Sequence, residues 1–386
     1  MNALVLGAGL MGKAIVYDLV HKTTFSTIKI LDGNKKCLNE TKHFFQNESK
    51  ITFHHQDVTD SKQMKSFLND ADVVISAVPY LYNESLTKQA IKNKCHFIDL
   101  GGNNKVVTNQ KKLHSLAEKA EVTIIPDSGL APGLVSILTK SLVEEYGHLS
   151  KLMLRVGGLP QLPQEPWKYQ LVFSANGLIN EYVEDAIVLD HGRIKSISSL
   201  TQEESIDFPK PFGRLEAFTT SGGCSTLPYT YKSKIDYLDY KTIRYQGHLQ
   251  QIKPLFNLGL HSQDTIKINN IKLKPRDILI HLLEKSLPSE GKDVVLLKVT
   301  GEQETKKKKR KIEFEMIDYY DEETNLSAMM RTTGFPVSIT ADLIASNHIT
   351  KNGVFTPEEI IPVNLFLKEL EKRNIDINKK EETIEL

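Results

Sequence analysis

Ala3-Leu4-Val5-Leu6-Gly7-Ala8-Gly9-Leu10-Met11-Gly12 is the stretch on which the fold turns. Ala3–Leu6 is a short apolar run of strand character, and Lys13–Val20 beyond it has the pattern of an amphipathic helix. Between them Gly7 to Gly12 reads G-x-G-x-x-G, a pattern that is weak alone but here has the strand before it and the helix after it that its mechanism requires. Gly7 permits the tight turn, Gly9 lets backbone approach a pyrophosphate, and Gly12 lets helix and strand pack closely. Leu10 and Met11 open the helix, whose first N–H groups are free to face phosphate. Asp32 ends the next apolar run at the spacing, about 20 residues on, of a ribose-binding carboxylate. Its charge accepts hydrogen bonds from ribose hydroxyls and repels a 2′-phosphate, so the expected cofactor is NAD rather than NADP. Lys35 and Lys36 pull weakly the other way.

Outward from this turn, apolar runs alternate with helical patterns. The runs are Ile28–Leu31, Ile51–His54, Val73–Val78, His96–Leu100 and Val122–Pro126, with helical stretches such as Leu86–Ile91 and Leu113–Ala120 between them. Such alternation predicts βαβ units and a parallel sheet, covered on both faces and therefore continuously apolar in its strands. Ligands lie at the carboxyl ends of such strands. That rule nominates Asp57, Val58, Ala77, Val78, Pro79 and Gly101 as cofactor-lining residues, and turns the backbone of Asp127–Gly133 toward the nicotinamide. Asp57 fits an adenine contact and a helix N-cap equally well.

After about residue 147 the rhythm changes. Strand-like segments follow one another at Lys151–Val156, Gln170–Phe173, Ala186–Leu189, Leu215–Thr219 and Val294–Val299, separated by turn signals such as Gly157-Gly158 and Gly222-Gly223. The expected architecture is α/β: a Rossmann-type domain over residues 1–130 and an α+β substrate and dimerisation domain with a mainly antiparallel sheet over 131–326. A C-terminal segment occupies 327–386. The basic run Lys306–Lys311 reads as a solvated hairpin tip, and Lys379–Leu386 as a frayed tail.

Composition narrows the function classes. With 49 Lys+Arg against 48 Asp+Glu in 386 residues, net charge gives no pull toward nucleic acid or an anionic membrane. No apolar run approaches the ~18 residues of a membrane span, and a strand starting at Ala3 leaves no room for a secretory signal. Cys37, Cys95 and Cys224 show no metal or redox spacing, and unpaired thiols suit a reducing compartment, so a cytoplasmic protein is expected. The pair His54-His55 lacks ligand spacing, and no metal site is expected.

Several further segments act together: Gly129-Leu130-Ala131-Pro132-Gly133, Val156-Gly157-Gly158-Leu159-Pro160, Leu178-Ile179-Asn180-Glu181-Tyr182, Arg244-Tyr245-Gln246-Gly247-His248 and Arg331-Thr332-Thr333-Gly334-Phe335. With the glycine fingerprint they resemble the saccharopine dehydrogenase-like oxidoreductases over nearly the whole chain, most closely the L-lysine 6-dehydrogenase branch. Saccharopine-forming reductases carry Asp just before the Pro-Gly turn where this chain has Ala131, which favours the lysine branch. The resemblance implies oxidative deamination of a basic amino acid at its ε-carbon, giving a semialdehyde that cyclises. It also implies a homodimer whose C-terminal segment returns to the cofactor domain. Same-class alternatives are a saccharopine dehydrogenase and a carboxynorspermidine-type reductase; a different class is an NAD-binding regulatory protein without turnover.

Oxidising a C–NH2 carbon needs a hydride acceptor, a neutral amine and a proton acceptor. Arg244, whose planar fork binds a carboxylate bidentately, is the candidate clamp, and Arg331 the second candidate. His248 is the candidate proton acceptor, with Tyr169 beside it in the catalytic set; Ser174 and Thr226 are candidate substrate hydrogen-bonders. Arg244 and His248 share a face if their segment is helical, whereas Gly247 argues for a turn. A surface ion pair for Arg244 and a structural role for His248 are the plain alternatives.

Overall fold

In the computed structural model, which describes residues 1–288, 291–306 and 308–385, strand β1 (Asn2–Leu6) lies inside a seven-stranded parallel sheet. On one side of it stand β2 (Thr27–Asp32) and then β3 (Ile51–His55). On the other stand β4 (Val73–Ser76), β5 (His96–Asp99), β6 (Thr123–Ile125) and the two-residue strand Gly353–Val354. Every pairing is parallel. Leu4, Val5, Ile28, Ile30, Val73 and Ile75 are buried, as strands covered on both faces must be. The strand order 3-2-1-4-5-6 reverses direction between β1 and β4, and the crevice at such a reversal is where a dinucleotide binds in this architecture.

This sheet belongs to one of two compact units, made of Met1–Glu145, Ser225–Leu227 and Met330–Asp376. The unit runs past the expected boundary at 130 because helix Leu134–Tyr146 buries Leu134, Val135, Ile137, Leu138, Leu142 and Val143. Met330–Asp376 is part of it: Gly353–Val354 extends the sheet at β6, and Arg373 Nε reaches both Asp18 oxygens at 2.8 and 2.9 Å. Asp18 lies on helix α1 (Leu10–Lys22) and also accepts from the Ser338 hydroxyl.

The second unit, Tyr146–Cys224, Pro228–Met329 and Ile377–Leu386, is built on a nine-stranded mixed sheet. Strand β7 (Leu149–Pro160) runs parallel to Ile235–Arg244 and antiparallel to Asp293–Glu304; the remaining pairings are antiparallel. Four expectations need correction or completion. Gln170–Phe173 is not a strand but an irregular lead into the helix Ala175–Val183. Strands Arg193–Ile197 and Thr201–Phe208 form where none was expected, because their residues are largely polar and exposed. The tail is not frayed: Asn378–Glu385 pairs antiparallel with Lys308–Tyr319. That pairing also changes the reading of the basic run. Lys307 lies outside the described residues, but Lys308–Lys311 sits on a strand rather than at a tip. There Lys309 faces Glu302 at 3.3 Å, Arg310 faces Glu381 at 3.9 Å and Lys311 faces Glu313 at 3.9 Å. Among the described residues no helix is long and apolar enough to cross a membrane.

Candidate functional site

The glycine turn connects β1 to α1 at the sheet's reversal point. Gly7, at φ +102°, occupies a conformation that side chains disfavour, and a Cβ there would meet Ala77 O at 2.9 Å. A Cβ on Gly12 would meet Gly7 O at 1.9 Å, so its lack of a side chain is what lets helix and turn touch. Gly9 is different: a Cβ built on it meets no atom within 4 Å. It is also the N-cap of α1, with no side chain to occupy the first N–H groups of the helix, and Gly9 and Leu10 are exposed. This is an open backbone cradle at a helix N-terminus, and it fits the pyrophosphate of a dinucleotide.

Asp32 ends β2 beside the cradle. One carboxylate oxygen accepts from Ala8 N at 2.7 Å and the other from Asn34 N at 2.6 Å, which leaves lone pairs on both for ribose hydroxyls. Lys35 and Lys36 are exposed on the following turn. Asp57 is exposed and accepts from the Thr59 N–H and hydroxyl, both at 2.8 Å, bonds that hold its carboxyl below the usual range. Val58 is buried in the apolar core with Leu31 and Met64. Ala77, Val78 and Pro79 follow β4, with the Ala77 N–H donating to Leu6 O at 2.8 Å. Gly101, at φ +75°, has no room for a Cβ, which would fall 1.8 Å from Asp127 Oδ1.

Asp127 and Asp99 form a buried acidic pair at the ends of β6 and β5. Asp99 Oδ1 accepts from Gly101 N at 2.8 Å and Asp127 N at 3.3 Å, and its other oxygen from Gln110 Nε2 at 2.6 Å. The Ser225 hydroxyl donates to Asp127, so the segment Ser225–Leu227 is held in this unit by that bond. Burial pushes Asp99 up to about 6; burial with the neighbouring Asp99 and Glu358 charges pushes Asp127 up to about 8. Folded protein therefore holds protons that unfolded chain has released. The stability from this pair is complete below the ordinary value of 3.8 and is lost as pH rises through about 6 and then about 8. Asp127→Asn, which cannot ionise, is expected to flatten that loss. The melting-temperature difference, variant minus wild type, should rise by roughly 5 °C between pH 5 and pH 9. A difference that stays constant with pH would remove Asp127 as the titrating group.

In the second unit Arg244, His248 and Tyr169 come together. Arg244 is the last residue of strand Ile235–Arg244 and His248 the first of helix His248–Asn257, joined by a turn with Gly247 at φ +93°. Neither alternative of one helix or one turn is complete: the two residues flank a strand-to-helix corner. Glu216 fixes that corner by accepting from Gly247 N and Leu249 N, both at 2.7 Å, and its charge suits a helix N-terminus. Arg244 is 3% exposed, with its guanidinium 4.8 Å from the Tyr169 ring centre. Its Nε donates to the Tyr182 hydroxyl at 3.1 Å and its Nη1 to Ile243 O at 2.9 Å. Among the described residues no carboxylate forms an ion pair with this buried cation, whose charge also acts on the Tyr169 phenol. The Tyr182 hydroxyl lies 3.0 Å from His248 Nε2; it satisfies both neighbours by accepting from Arg244 and donating to the imidazole.

His248 is buried against the Tyr169 and Phe218 rings. Burial, then the Arg244 charge, pushes it down to about 3. An imidazole held neutral this firmly is a weak base near neutral pH, and its Nε2 bonds the Tyr182 hydroxyl. The Tyr169 phenol is pushed up to about 12 by burial and stays protonated. The sequence reading assigned no role to Tyr182 or Glu181, although both stand in the quoted Leu178–Tyr182 segment. Glu181 is half-buried, its charge acts on Arg244, Tyr169, Tyr182 and Tyr240, and burial pushes its carboxyl up to about 7 against the pull of Arg244. An acid beside a tyrosine on a helix that buries Leu178, Ile179 and Tyr182 was the available signal.

Ser174 is exposed and caps the helix Ala175–Val183, accepting from Gly177 N at 3.1 Å. Thr226 belongs to the first unit, where it donates to Glu358 at 2.7 Å. Arg331 is also in the first unit, buried and donating to the Arg373 and Asn374 carbonyls at 3.3 and 3.0 Å. Those two bonds use its Nη2 on backbone carbonyls. Among the described residues no three His, Cys, Asp or Glu are placed to hold a metal ion.

Residues 3–125 match the family model for the saccharopine dehydrogenase NADP binding domain, and residues 129–376 that for the saccharopine dehydrogenase C-terminal domain. The saccharopine dehydrogenase (NADP(+), L-glutamate-forming) of Saccharomyces cerevisiae is 25% identical over 286 residues, 71% of this chain and 61% of that protein. The mitochondrial alpha-aminoadipic semialdehyde synthase of Rattus norvegicus is 24% identical over 320 residues, 78% of this chain and 33% of that protein. The match thus spans less than two thirds of these relatives' lengths. Two solved structures share the fold. Apo saccharopine dehydrogenase (L-Glu forming) from Saccharomyces cerevisiae has a TM-score of 0.79 at 20% identity, covering 99% of each chain. Homospermidine synthase from Legionella pneumophila in complex with NAD has 0.68 at 14%, covering 98% of this chain and 91% of that one.

Proposed function

Because the chain belongs to the saccharopine dehydrogenase family, we propose that it is a pyridine-nucleotide-dependent oxidoreductase of a basic amino acid, acting on a carbon–nitrogen bond, with L-lysine oxidised at its ε-carbon. The observation that carries the substrate class is Arg244: a buried guanidinium with which no carboxylate of the described residues pairs calls for an anionic ligand group, and an α-carboxylate supplies it. Oxidation takes a hydride from the ε-carbon of the neutral amine, leaving a protonated C=N; water then adds and releases ammonium and the aldehyde. Bound in the cradle, the nucleotide supplies the hydride acceptor. The Gly7–Gly12 turn and the start of α1 hold its pyrophosphate, and Asp32 its ribose; the Ala77–Pro79 and Gly101 segments lie along the same crevice. Tyr169 and Tyr182 wall the carboxylate end of the substrate at Arg244.

A second reading has specific support. The yeast relative is a saccharopine dehydrogenase (L-glutamate-forming); saccharopine carries a secondary amine on the same lysine skeleton, so an amino acid rather than ammonia would leave. Ala131 ahead of Pro132-Gly133 supports the lysine reading. Nicotinamide reduction at 340 nm with lysine and with saccharopine, coupled to assays for ammonia and glutamate, separates the two. Turnover of neither, with intact nucleotide binding, would leave the regulatory-protein alternative.

For the nucleotide, Asp32 supports NAD, whereas the matching family model and the yeast relative are described by NADP. The expected preference for NAD is at least about tenfold, or about 1.4 kcal/mol. Asp32→Ala should narrow it in fluorescence titrations. Equal affinities of the wild type for the two nucleotides would remove Asp32 from this role.

A further inference from the structure

Glu216 is a buried acid that the reaction as derived does not use. It lies in register with Arg244 across the antiparallel strands Gly213–Thr219 and Ile235–Arg244, so the two side chains leave the same face of the sheet. At 4% and 3% exposed, two such opposite charges normally close on each other, because desolvation is otherwise uncompensated. Here they do not pair: both Glu216 oxygens are taken by the N–H groups of Gly247 and Leu249, at 2.7 Å each. Contacts lead from those two residues back to Arg244. They flank His248, the first residue of its helix, whose ring lies parallel to that of Phe218 with centres 6.3 Å apart. Phe218 stands on the same strand as Glu216. His248 Nε2 lies 3.0 Å from the Tyr182 hydroxyl, which accepts from Arg244 Nε at 3.1 Å. The circuit is closed: strand register ties Arg244 to Glu216, and Glu216 fixes the helix start whose first side chain reaches Arg244 through one hydroxyl.

We propose that Glu216 is the positioning residue of the Arg244 seat. It fixes the corner that carries His248, and through His248 and Tyr182 it sets the plane of the guanidinium. Spent on backbone, it also leaves that charge to the carboxylate of the substrate. This rests on the amino-acid substrate reading above and deepens it, because it assigns carboxylate selectivity to a residue whose own oxygens are already taken. Removing the Glu216 charge loosens the helix start, where an anion offsets the free N–H groups. A guanidinium that turns out of plane keeps its charge but loses one of the two hydrogen bonds of a bidentate pair. The cost falls on substrates with a carboxylate and spares those without one.

The test is a double-mutant cycle on the full-length protein at saturating nucleotide: wild type, Glu216→Gln, Arg244→Ala and both together. Each is assayed with lysine and cadaverine, and with saccharopine and N-(5-aminopentyl)glutamate, its analogue without the lysine carboxylate. Glutamine keeps one acceptor oxygen but not the charge. Glu216→Gln should raise KM for the amino acid that turns over by about three- to tenfold, with kcat within about twofold of wild type and KM for the carboxylate-free analogue unchanged. In the Arg244→Ala background the same substitution should change neither KM. Glu216→Asp, which keeps the charge, should recover part of the loss, and it carries the same cycle if the glutamine variant does not fold. If Glu216→Gln raises both KM values alike, or acts as strongly without Arg244 as with it, Glu216 is only structural and the proposal is overturned. A wild type that turns over neither amino acid, or prefers neither to its carboxylate-free analogue, fails at the substrate reading before any variant is made, and the proposal falls with it.

Discussion

Gly9→Val is expected to abolish nucleotide binding, weakening it at least about a hundredfold (roughly 2.7 kcal/mol), while the protein stays folded. Both halves of that result follow from the cradle. The backbone at Gly9 has φ −70° and ψ −168°, extended geometry that any residue adopts, and a Cβ there meets no protein atom within 4 Å. The valine methyls therefore cost the fold little and fill only the space through which a pyrophosphate must approach. Gly12→Val is the opposite control. Its Cβ would fall 1.9 Å from Gly7 O, so the turn itself must shift and the melting temperature should drop. Far-UV circular dichroism, thermal melts and nucleotide titration on both variants test the pair. A folded Gly9→Val protein that binds within threefold of wild type would show that the phosphate does not pass over this glycine.

Arg244→Ala is expected to raise KM for the amino acid by about 10- to 150-fold, the cost of a lost charge-assisted pair of about 1.5–3 kcal/mol, with nucleotide affinity unchanged. The discriminating probe is cadaverine, which lacks the carboxylate. Wild type should use it poorly, and the variant should distinguish it from lysine far less. Some stability will go too, since the guanidinium packs against Tyr169 and holds the Tyr182 hydroxyl. Arg244→Lys keeps a charge but not the planar fork, so it should recover stability more fully than KM. A variant that keeps the wild-type preference for lysine over cadaverine would end the clamp assignment.

Much of the nucleotide-binding unit was legible before any coordinates, for a physical reason. Buried parallel strands are apolar without interruption, and Gly7 and Gly12 stand where a Cβ would strike backbone, so composition carries the constraint directly. The second unit was harder. Thr201–Phe208 and Asn378–Glu385 owe their strand state to pairing with distant partners rather than to an apolar face, and exposed polar strands leave no periodic trace. The Arg244–His248 corner was ambiguous because a left-handed Gly247 between strand and helix satisfies the signals for both. That His248 is neutral could not be read from its neighbours in sequence. Its state is set by rings and a cation from other elements, Tyr169, Phe218 and Arg244.

The pairing of Asp18 with Arg373 has a consequence for how the protein is made. The two residues are 355 positions apart, and both are buried. Leaving the ribosome at about 5–20 residues per second, Asp18 precedes its partner by roughly 20–70 s. For most of that interval the nascent nucleotide-binding sheet lacks Gly353–Val354, and throughout it holds a carboxylate that is costly to bury unpaired, by about 3–5 kcal/mol. The second unit must therefore be synthesised, and has time to fold, while the first is still waiting to close. Arrest of translation anywhere before residue 373 should yield chains in which the N-terminal unit is open to protease, however complete its glycine turn.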